Sequence, residues 1–298
     1  MVINDIHRHV VCEEVTCFSH YTFDVMIESL SRVDGNVAVF LHPMYKKLYP
    51  CSESHRYGCV DTEDGCVRFE CKSCGRISYQ GSDPYREGNT KLLESCQAHK
   101  NLYPFLYLTL SDNTMQQEID YFEANYKSQF WGIKVHPNLC GRKMSEIRFT
   151  SNYPMIIHCG MTEYDDPKDI IQYALRYPGK VVLAHLARCE ESVMKEIAKS
   201  DNIFVDTSPA YLPFQIANKS TKRYYPSAIT DVNNVTQLFR NLIDAIGYKK
   251  IIFGTDAPWG CDEDAVKLYD ALDIPVSQKT CIFQTNFDSL VSRSISSR

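Results

Sequence analysis

No apolar run in the 298-residue sequence approaches the roughly 18 residues that a membrane-crossing helix needs, so no span is expected. The opening segment, MVINDIHRHV, lacks the basic stretch and the apolar stretch of a secretory leader. A basic excess is missing as well: 32 Lys and Arg stand against 37 Asp and Glu, a net charge of −5. That removes the simplest electrostatic case for a nucleic-acid partner, whose usual sign is a basic footprint. Internal repeats and low-complexity tracts are absent too. The composition is ordinary for a folded chain, 44% hydrophobic and 23% charged, which argues against disorder. A soluble, cytoplasmic protein is the expectation, with neither nucleic acid nor membrane as partner. An assembly of identical chains stays open.

Cysteine, by contrast, is plentiful. The chain has 13, an odd count with no export signal before them. In a reducing compartment, clustered cysteines read as metal ligands and scattered ones as small buried hydrophobes. Cys51, Cys59, Cys66, Cys71 and Cys74 are clustered; the rest, including Cys12, Cys17, Cys159 and Cys261, are read as packing.

Short β-branched runs alternate with helical patterns along the chain. Strands are expected at residues 2–7, 36–42, 105–110, 132–136, 153–158, 180–185, 202–206 and 250–255. Several are continuously apolar, as parallel strands covered by helices are. Helices are expected at 22–33, 87–100, 115–126, 167–177, 189–199, 232–247, 262–272 and 279–292. Eight such alternations predict one α/β domain, a (β/α)8 TIM barrel over residues 1–298. Two stretches break the rhythm: a Cys-, Tyr- and Gly-rich insertion at 43–82 and a polar loop at 207–230. Both follow strands, so both should emerge at the end of the barrel where such folds keep their sites.

Polar groups sit at the ends of the apolar runs. His7 and His9 are two apart on the first strand and share a face, a spacing that lets two imidazoles grip one ion. Later runs end in His158, His185 and Asp256. Neutral imidazoles with one carboxylate suit Zn²⁺ or a similar divalent ion. On the fourth strand Lys134 and His136 share a face and are candidates for a second metal or for substrate. His42, before Pro43, reads as structural.

DIHRH, GIKVHP, IIHCG, LAHLAR, FVDTS and FGTDAPWG, in this order, resemble the barrel motifs of the amidohydrolase superfamily. They are most similar to its amidohydrolase-related branch, which includes hydrolases and metal-dependent decarboxylases. The resemblance runs from about residue 2 to residue 292, interrupted by the insertion. It implies that His7, His9 and His158 ligate a metal. It implies that Asp256 ligates the metal or contacts its water, and that His185 acts beside it. Lys134 matches a lysine that two-metal members carboxylate as a bridge; as a plain ammonium it would take a substrate carboxylate. One catalytic zinc is favoured over two.

The implied activity is hydrolysis of an amide, lactone or related bond in a small molecule, through a metal-activated water. The alternative is non-oxidative decarboxylation of a small carboxylic acid. A non-catalytic metal-stabilised binding protein is a second alternative.

In the insertion, Cys71-Lys-Ser-Cys74-Gly75 resembles a zinc knuckle. A structural zinc is expected there, on Cys59, Cys66, Cys71 and Cys74, with Cys51 and His55 as alternative ligands. The argument is that so short an insertion cannot bury a useful core and needs a staple. Arg86, opening the next helix, is a candidate for a substrate carboxylate, as is Arg188; Tyr224 and Tyr225 either line the mouth or, the favoured reading, pack their loop onto the barrel.

Overall fold

The computed structural model describes residues 2–12, 15, 18–30, 34–51, 57–126, 129–208, 235–260, 266 and 269–292. Eight parallel strands form one sheet, in the order β1 (Asp5–Val10), β2 (Val37–Leu41), then β6 (Leu102–Tyr107), β7 (Gly132–Val135), β8 (Met155–Ile157), β9 (Val181–Leu183), β10 (Ile203–Asp206) and β11 (Ile251–Ile252). The sheet curls until its first and last strands meet. Ile6 N–H donates to the Phe253 carbonyl at 3.0 Å, Asp256 N–H to that of His7 at 2.7 Å, and His9 N–H to that of Ala257 at 2.8 Å. The expected TIM barrel is the observed fold.

Helices cover the outside. Among them are α1 (Phe23–Leu30), α2 (Arg86–Cys96), α3 (Asp112–Tyr126), α4 (Pro137–Cys140) and α5 (Pro167–Ala174). The start of α5 shows why the sequence places it there. Asp166 caps it by accepting from Lys168 N–H at 2.9 Å, and Pro167 fills the first turn, where no amide donor is needed. Two apolar layers result. Val39, Leu41, Ile133, Val135, Ile157 and Leu183 face the helices, while Ala38, Phe40, Phe105, Ile156, Val182 and Phe204 fill the barrel. Gly132 makes room for that filling: a Cβ there would stand 2.2 Å from the Phe105 ring.

The first strand lies three residues later than the sequence suggested, at Asp5–Val10 rather than 2–7. Pairing with β2 decides this, and the register slips between Asp5 and Arg8. The bulge turns Ile6 into the inner apolar cluster without separating His7 from His9. Most of the expected helix at 262–272 lies outside the described residues, as do residues 209–234, with Tyr224 and Tyr225.

The insertion is a three-stranded antiparallel sheet of β3 (Tyr57–Asp61), β4 (Val67–Cys71) and β5 (Ile77–Gly81). It does bury a core, which corrects the expectation. Tyr57, Cys59, Val67, Phe69 and Cys71 are buried and continuous with the apolar layer around the barrel, where Tyr49 meets Tyr57 edge-on at 5.1 Å. The insertion borrows the barrel's apolar surface instead of building its own. No helix among the described residues is long and apolar enough to cross a membrane.

Candidate active site

Above the aromatic plug of the barrel the inward side chains turn polar. His7 and His9 rise from β1, Lys134 from β7 and Asp206 from the end of β10; His136 and His158 follow their strands directly, His185 comes two residues after β9 and Asp256 four after β11. All are buried except His158 and His185, which are partly open.

The tautomers of His7 and His9 follow from their partners. Asp206 Oδ2 lies 2.7 Å from His7 Nδ1 and Ser208 Oγ lies 2.9 Å from it. The Leu41 carbonyl, which can only accept, lies 3.1 Å from His9 Nδ1. Both Nδ1 atoms therefore carry the proton, and both Nε2 lone pairs face inward. They converge on one oxygen: Asp256 Oδ1 is 3.2 Å from His7 Nε2 and 3.4 Å from His9 Nε2. Two ring lone pairs and a carboxylate oxygen facing one another need positive charge between them. Lys134 Nζ, 3.2 Å from His7 Nε2, brings one unit of it. This donor set fits a divalent ion of the zinc class.

Electrostatics keep the groups in usable states. Burial pushes His9 down to about 3, and burial also lowers His185, against the pull of Asp256. Burial, then His185 and Lys134, hold His158 well below the usual imidazole range; burial, then His158 and Lys134, do the same to His136. These rings are neutral at neutral pH, the form a metal requires. His7 differs. Burial and Lys134 depress it, but Asp206 and Asp256 outweigh them and its pKa is raised. Burial alone would raise Asp256, yet His7, His9 and His185 keep it ionised. Burial lowers Lys134 to about 8 despite Asp206 and Asp256, so the ammonium still dominates at pH 7.

A second chain of bonds runs beside the first. The Ser208 carbonyl lies 2.7 Å from His185 Nδ1, which fixes the proton there. His185 Nε2 then accepts from His158 Nδ1–H at 2.9 Å. His158 thus stands apart from the trio of His7, His9 and Asp256, because its Nδ1 is engaged by His185. Its Nε2 lies 3.6 Å from Asp165 Oδ2. Asp165 in turn leaves no space at Gly160, where a Cβ would sit 2.0 Å from its carboxylate. His136 stacks on His158 with centroids 4.6 Å apart, and its buried Nδ1 has no partner among the described residues.

Backbone strain marks the same place. His185, Leu186, Ala187, Arg188 and Cys189 all have positive φ, between 44° and 57°, and Asp256 has φ 59°. Left-handed geometry costs a residue with a Cβ about 1–2 kcal/mol, and such outliers gather at functional sites.

Asp206 is the residue that the sequence reading left without a role. Its Oδ1 accepts from His185 N–H at 2.9 Å, from Ser208 N–H at 3.1 Å and from the Ser208 hydroxyl at 2.7 Å, while Oδ2 holds His7. The signal was present in Phe204-Val205-Asp206, an apolar run ending in a carboxylate, as the other strands end in ligands. His42 stacks on Trp259 at 5.1 Å and accepts from Met44 N–H, as expected of a structural residue.

Arg86 is not in the mouth. Its guanidinium grips both oxygens of buried Glu118 on α3, with Nε 3.0 and 2.9 Å from them, and lies over the Tyr121 ring. The pair holds α2 to α3, so the substrate role proposed for Arg86 is withdrawn. Arg188 donates to the Gly160 carbonyl at 2.7 Å, tying the loop after β9 to the loop after β8.

The cysteines regroup as well. β3 and β4 pair Cys59 with Phe69 and Tyr57 with Cys71. Cys66 is therefore at one end of the hairpin and Cys71 at the other, about 16 Å away along a strand of five steps. Cys59 is buried against the barrel, its thiol pushed up by burial and then by Cys140. The thiols brought together are those of Cys51, Cys71 and Cys74. His55 lies outside the described residues.

With this geometry in view, comparison with known proteins is informative. A family model described as Amidohydrolase matches residues 150–286. The second half of the chain is thus similar to that family. The matched segment carries His158, His185, Asp206 and Asp256; the amidohydrolase resemblance of the first half rests on its motifs and on the fold. No curated protein sequence matches significantly. Among solved structures, 5-carboxyvanillate decarboxylase from Sphingomonas paucimobilis is similar over 97% of this chain and 98% of its own, at 9% identity and TM-score 0.62. A dihydroxybenzoic acid decarboxylase from Polaromonas sp. JS666, with bound manganese and the inhibitor 2-nitroresorcinol, covers 97% and 96% at 13% identity and TM-score 0.56. An amidohydrolase from Burkholderia multivorans with bound HEPES covers 98% and 99% at 11% identity and TM-score 0.58. At such identities these likenesses speak to the fold.

Proposed function

We propose that the chain is a metal-dependent enzyme that hydrolyses an amide, lactone or related bond in a small molecule. The observation that carries this reading is the meeting of His7 Nε2, His9 Nε2 and Asp256 Oδ1 with both Nδ1 atoms pinned from behind. One divalent ion, zinc by the chemistry of the donors, would be held by these three side chains. When bound, it supplies Lewis acidity and makes a nucleophilic water available near neutral pH.

The chain's own groups do the rest. Asp256, ionised and at the edge of the mouth, orients the attacking water and takes up its proton. His185, whose Nδ1–H is held by the Ser208 carbonyl, keeps a basic Nε2 beside His158; once protonated there by the proton released from the water, it would stabilise the oxygen that gains charge and pass the proton to the leaving group. Asp206 keeps His7 in its ligating tautomer by holding Nδ1–H.

One observation favours a second reading. Lys134 is fully buried, yet its Nζ stands at the centre of the polar layer, 3.2 Å from His7 Nε2 and 5.0 Å from the Phe40 ring centroid. An ammonium so placed would hold a substrate carboxylate, as decarboxylation of a small carboxylic acid requires. The named activities of two similar structures point the same way.

Turnover of a panel of small amides, lactones and aromatic carboxylates by the metal-loaded protein decides between them. Incorporation of ¹⁸O from labelled water into an acid product, without carbon dioxide release, supports hydrolysis. Stoichiometric carbon dioxide release replaces it with decarboxylation. No turnover of any compound, with the barrel ion bound, leaves the binding-protein reading standing.

A further inference from the structure

Outside the barrel, one group of side chains has the chemistry of a site. Cys51, Cys71 and Cys74 place their sulfur atoms within 4.8 Å of one another, with Cys51 Sγ 3.9 Å from Cys74 Sγ. Thiolates at about 2.3 Å from a tetrahedral ion stand about 3.8 Å apart, whereas a disulfide needs about 2.05 Å. The Cys51–Cys74 distance matches two ligands around one ion and excludes a disulfide in this structure.

The local backbone supports this arrangement. Cys71 ends β4, and the chain reverses through Lys72, Ser73 and Cys74 to Gly75. Gly75 N–H donates to the Cys71 carbonyl at 2.8 Å, and Cys71 N–H donates to the Arg76 carbonyl at 2.9 Å. Gly75 has φ 72°, which a glycine adopts without cost, and this lets the turn present two sulfurs on one side. Cys51 arrives from the other end of the insertion, fixed by its own N–H, which donates to the Tyr57 hydroxyl at 2.7 Å. Tyr57 is the strand partner of Cys71, so the register of β3 on β4 is what brings the third thiol in.

We propose that Cys51, Cys71 and Cys74 bind one thiophilic divalent cation, such as Zn²⁺, and that this ion fixes the Lys72 turn against the rim of the barrel. Binding releases the thiol protons to solvent, and three thiolates leave one coordination position for a further donor. Lys72 gives the site its consequence. Its side chain runs over Gly58, where a Cβ would stand 2.6 Å from Lys72 Cε. It passes Gly141, where a Cβ would stand 2.9 Å from Lys72 Nζ, and donates to the Tyr164 hydroxyl at 2.9 Å. Tyr164 precedes Asp165, whose carboxylate faces His158. The ion thus anchors a wall of the mouth through one lysine.

Cobalt substitution provides the test, because thiolate ligands give Co²⁺ an intense near-ultraviolet charge-transfer absorption that imidazole and carboxylate ligands do not. Reduced full-length protein is stripped with a chelator and titrated with Co²⁺, alongside Cys71→Ser/Cys74→Ser, Cys66→Ser and His7→Ala/His9→Ala. The proposal expects the band in the unmodified protein, in Cys66→Ser and in His7→Ala/His9→Ala, with its loss and one fewer bound ion in Cys71→Ser/Cys74→Ser. Absence of the band from the reduced unmodified protein overturns it, whether or not the cysteine variant folds. So does a band that Cys66→Ser abolishes, or a Cys51–Cys74 disulfide in protein purified without oxidant. The barrel reading fails separately, if His7→Ala/His9→Ala leaves the ion count unchanged.

Discussion

The barrel mouth and the insertion hairpin both collect metal-binding side chains, but they do it by opposite means. In the mouth, the pleat of one strand, β1, points His7 and His9 the same way, and the turn after β11 brings Asp256 to them. In the hairpin, the thiols meet only because β3, β4 and the segment before β3 pair in one particular register. The mouth is also largely buried and cross-bonded, with Asp206 accepting from four groups, whereas Cys74 is exposed. Local geometry builds the first site; tertiary pairing builds the second.

Deleting ligands in the mouth should have the largest effect on that contrast. His7→Ala/His9→Ala is expected to weaken binding of the barrel ion on the order of 1,000-fold or more, beyond the 10–100-fold typical of supporting residues. Metal titration with a competing chelator measures it. Next comes Arg86→Ala, which leaves buried Glu118 without its cation. The cost should be about 2 kcal/mol by urea unfolding, below the value for a fully buried pair because Arg86 is partly exposed, with barrel metal content unchanged. An effect on metal binding instead would return Arg86 to the mouth.

Asp206→Asn sharpens the comparison from inside. The amide can donate as well as accept, so His7 loses its enforced tautomer; barrel-ion affinity should fall about 10–100-fold with little change in fold by circular dichroism. Gly160→Ala is expected to cost about 1–3 kcal/mol in thermal unfolding, since the new methyl meets Asp165. Cys66→Ser should change stability by less than about 0.5 kcal/mol, as befits a hairpin-end residue outside both sites.

What could be read from the sequence follows the same division. The eight strands and the shared face of His7 and His9 each depend on residues a few positions apart, and each was legible. His158 was legible as a strand-end group, yet its bond to His185 depends on how two neighbouring strands stagger. Asp206 was overlooked although its strand ends like the others, because its part lies in bonds to His7 and His185 that only the folded barrel brings together. Arg86 looked like an anion binder until α3 brought Glu118 to it from 32 positions away. Cys59 and Cys66 were favoured for spacing, and spacing carries no information about which end of a hairpin a residue occupies.

The seam that closes the barrel has a consequence for synthesis. Asp5 and Thr255 are bonded across it, 250 positions apart, and His7, His9 and Asp256 stand on that same seam. A chain emerging from the ribosome carries its two imidazoles long before their carboxylate, since the two sides of the seam are 250 positions apart. Products of premature termination therefore lack a complete cup, and metal capture at the mouth reports that the last strand has docked.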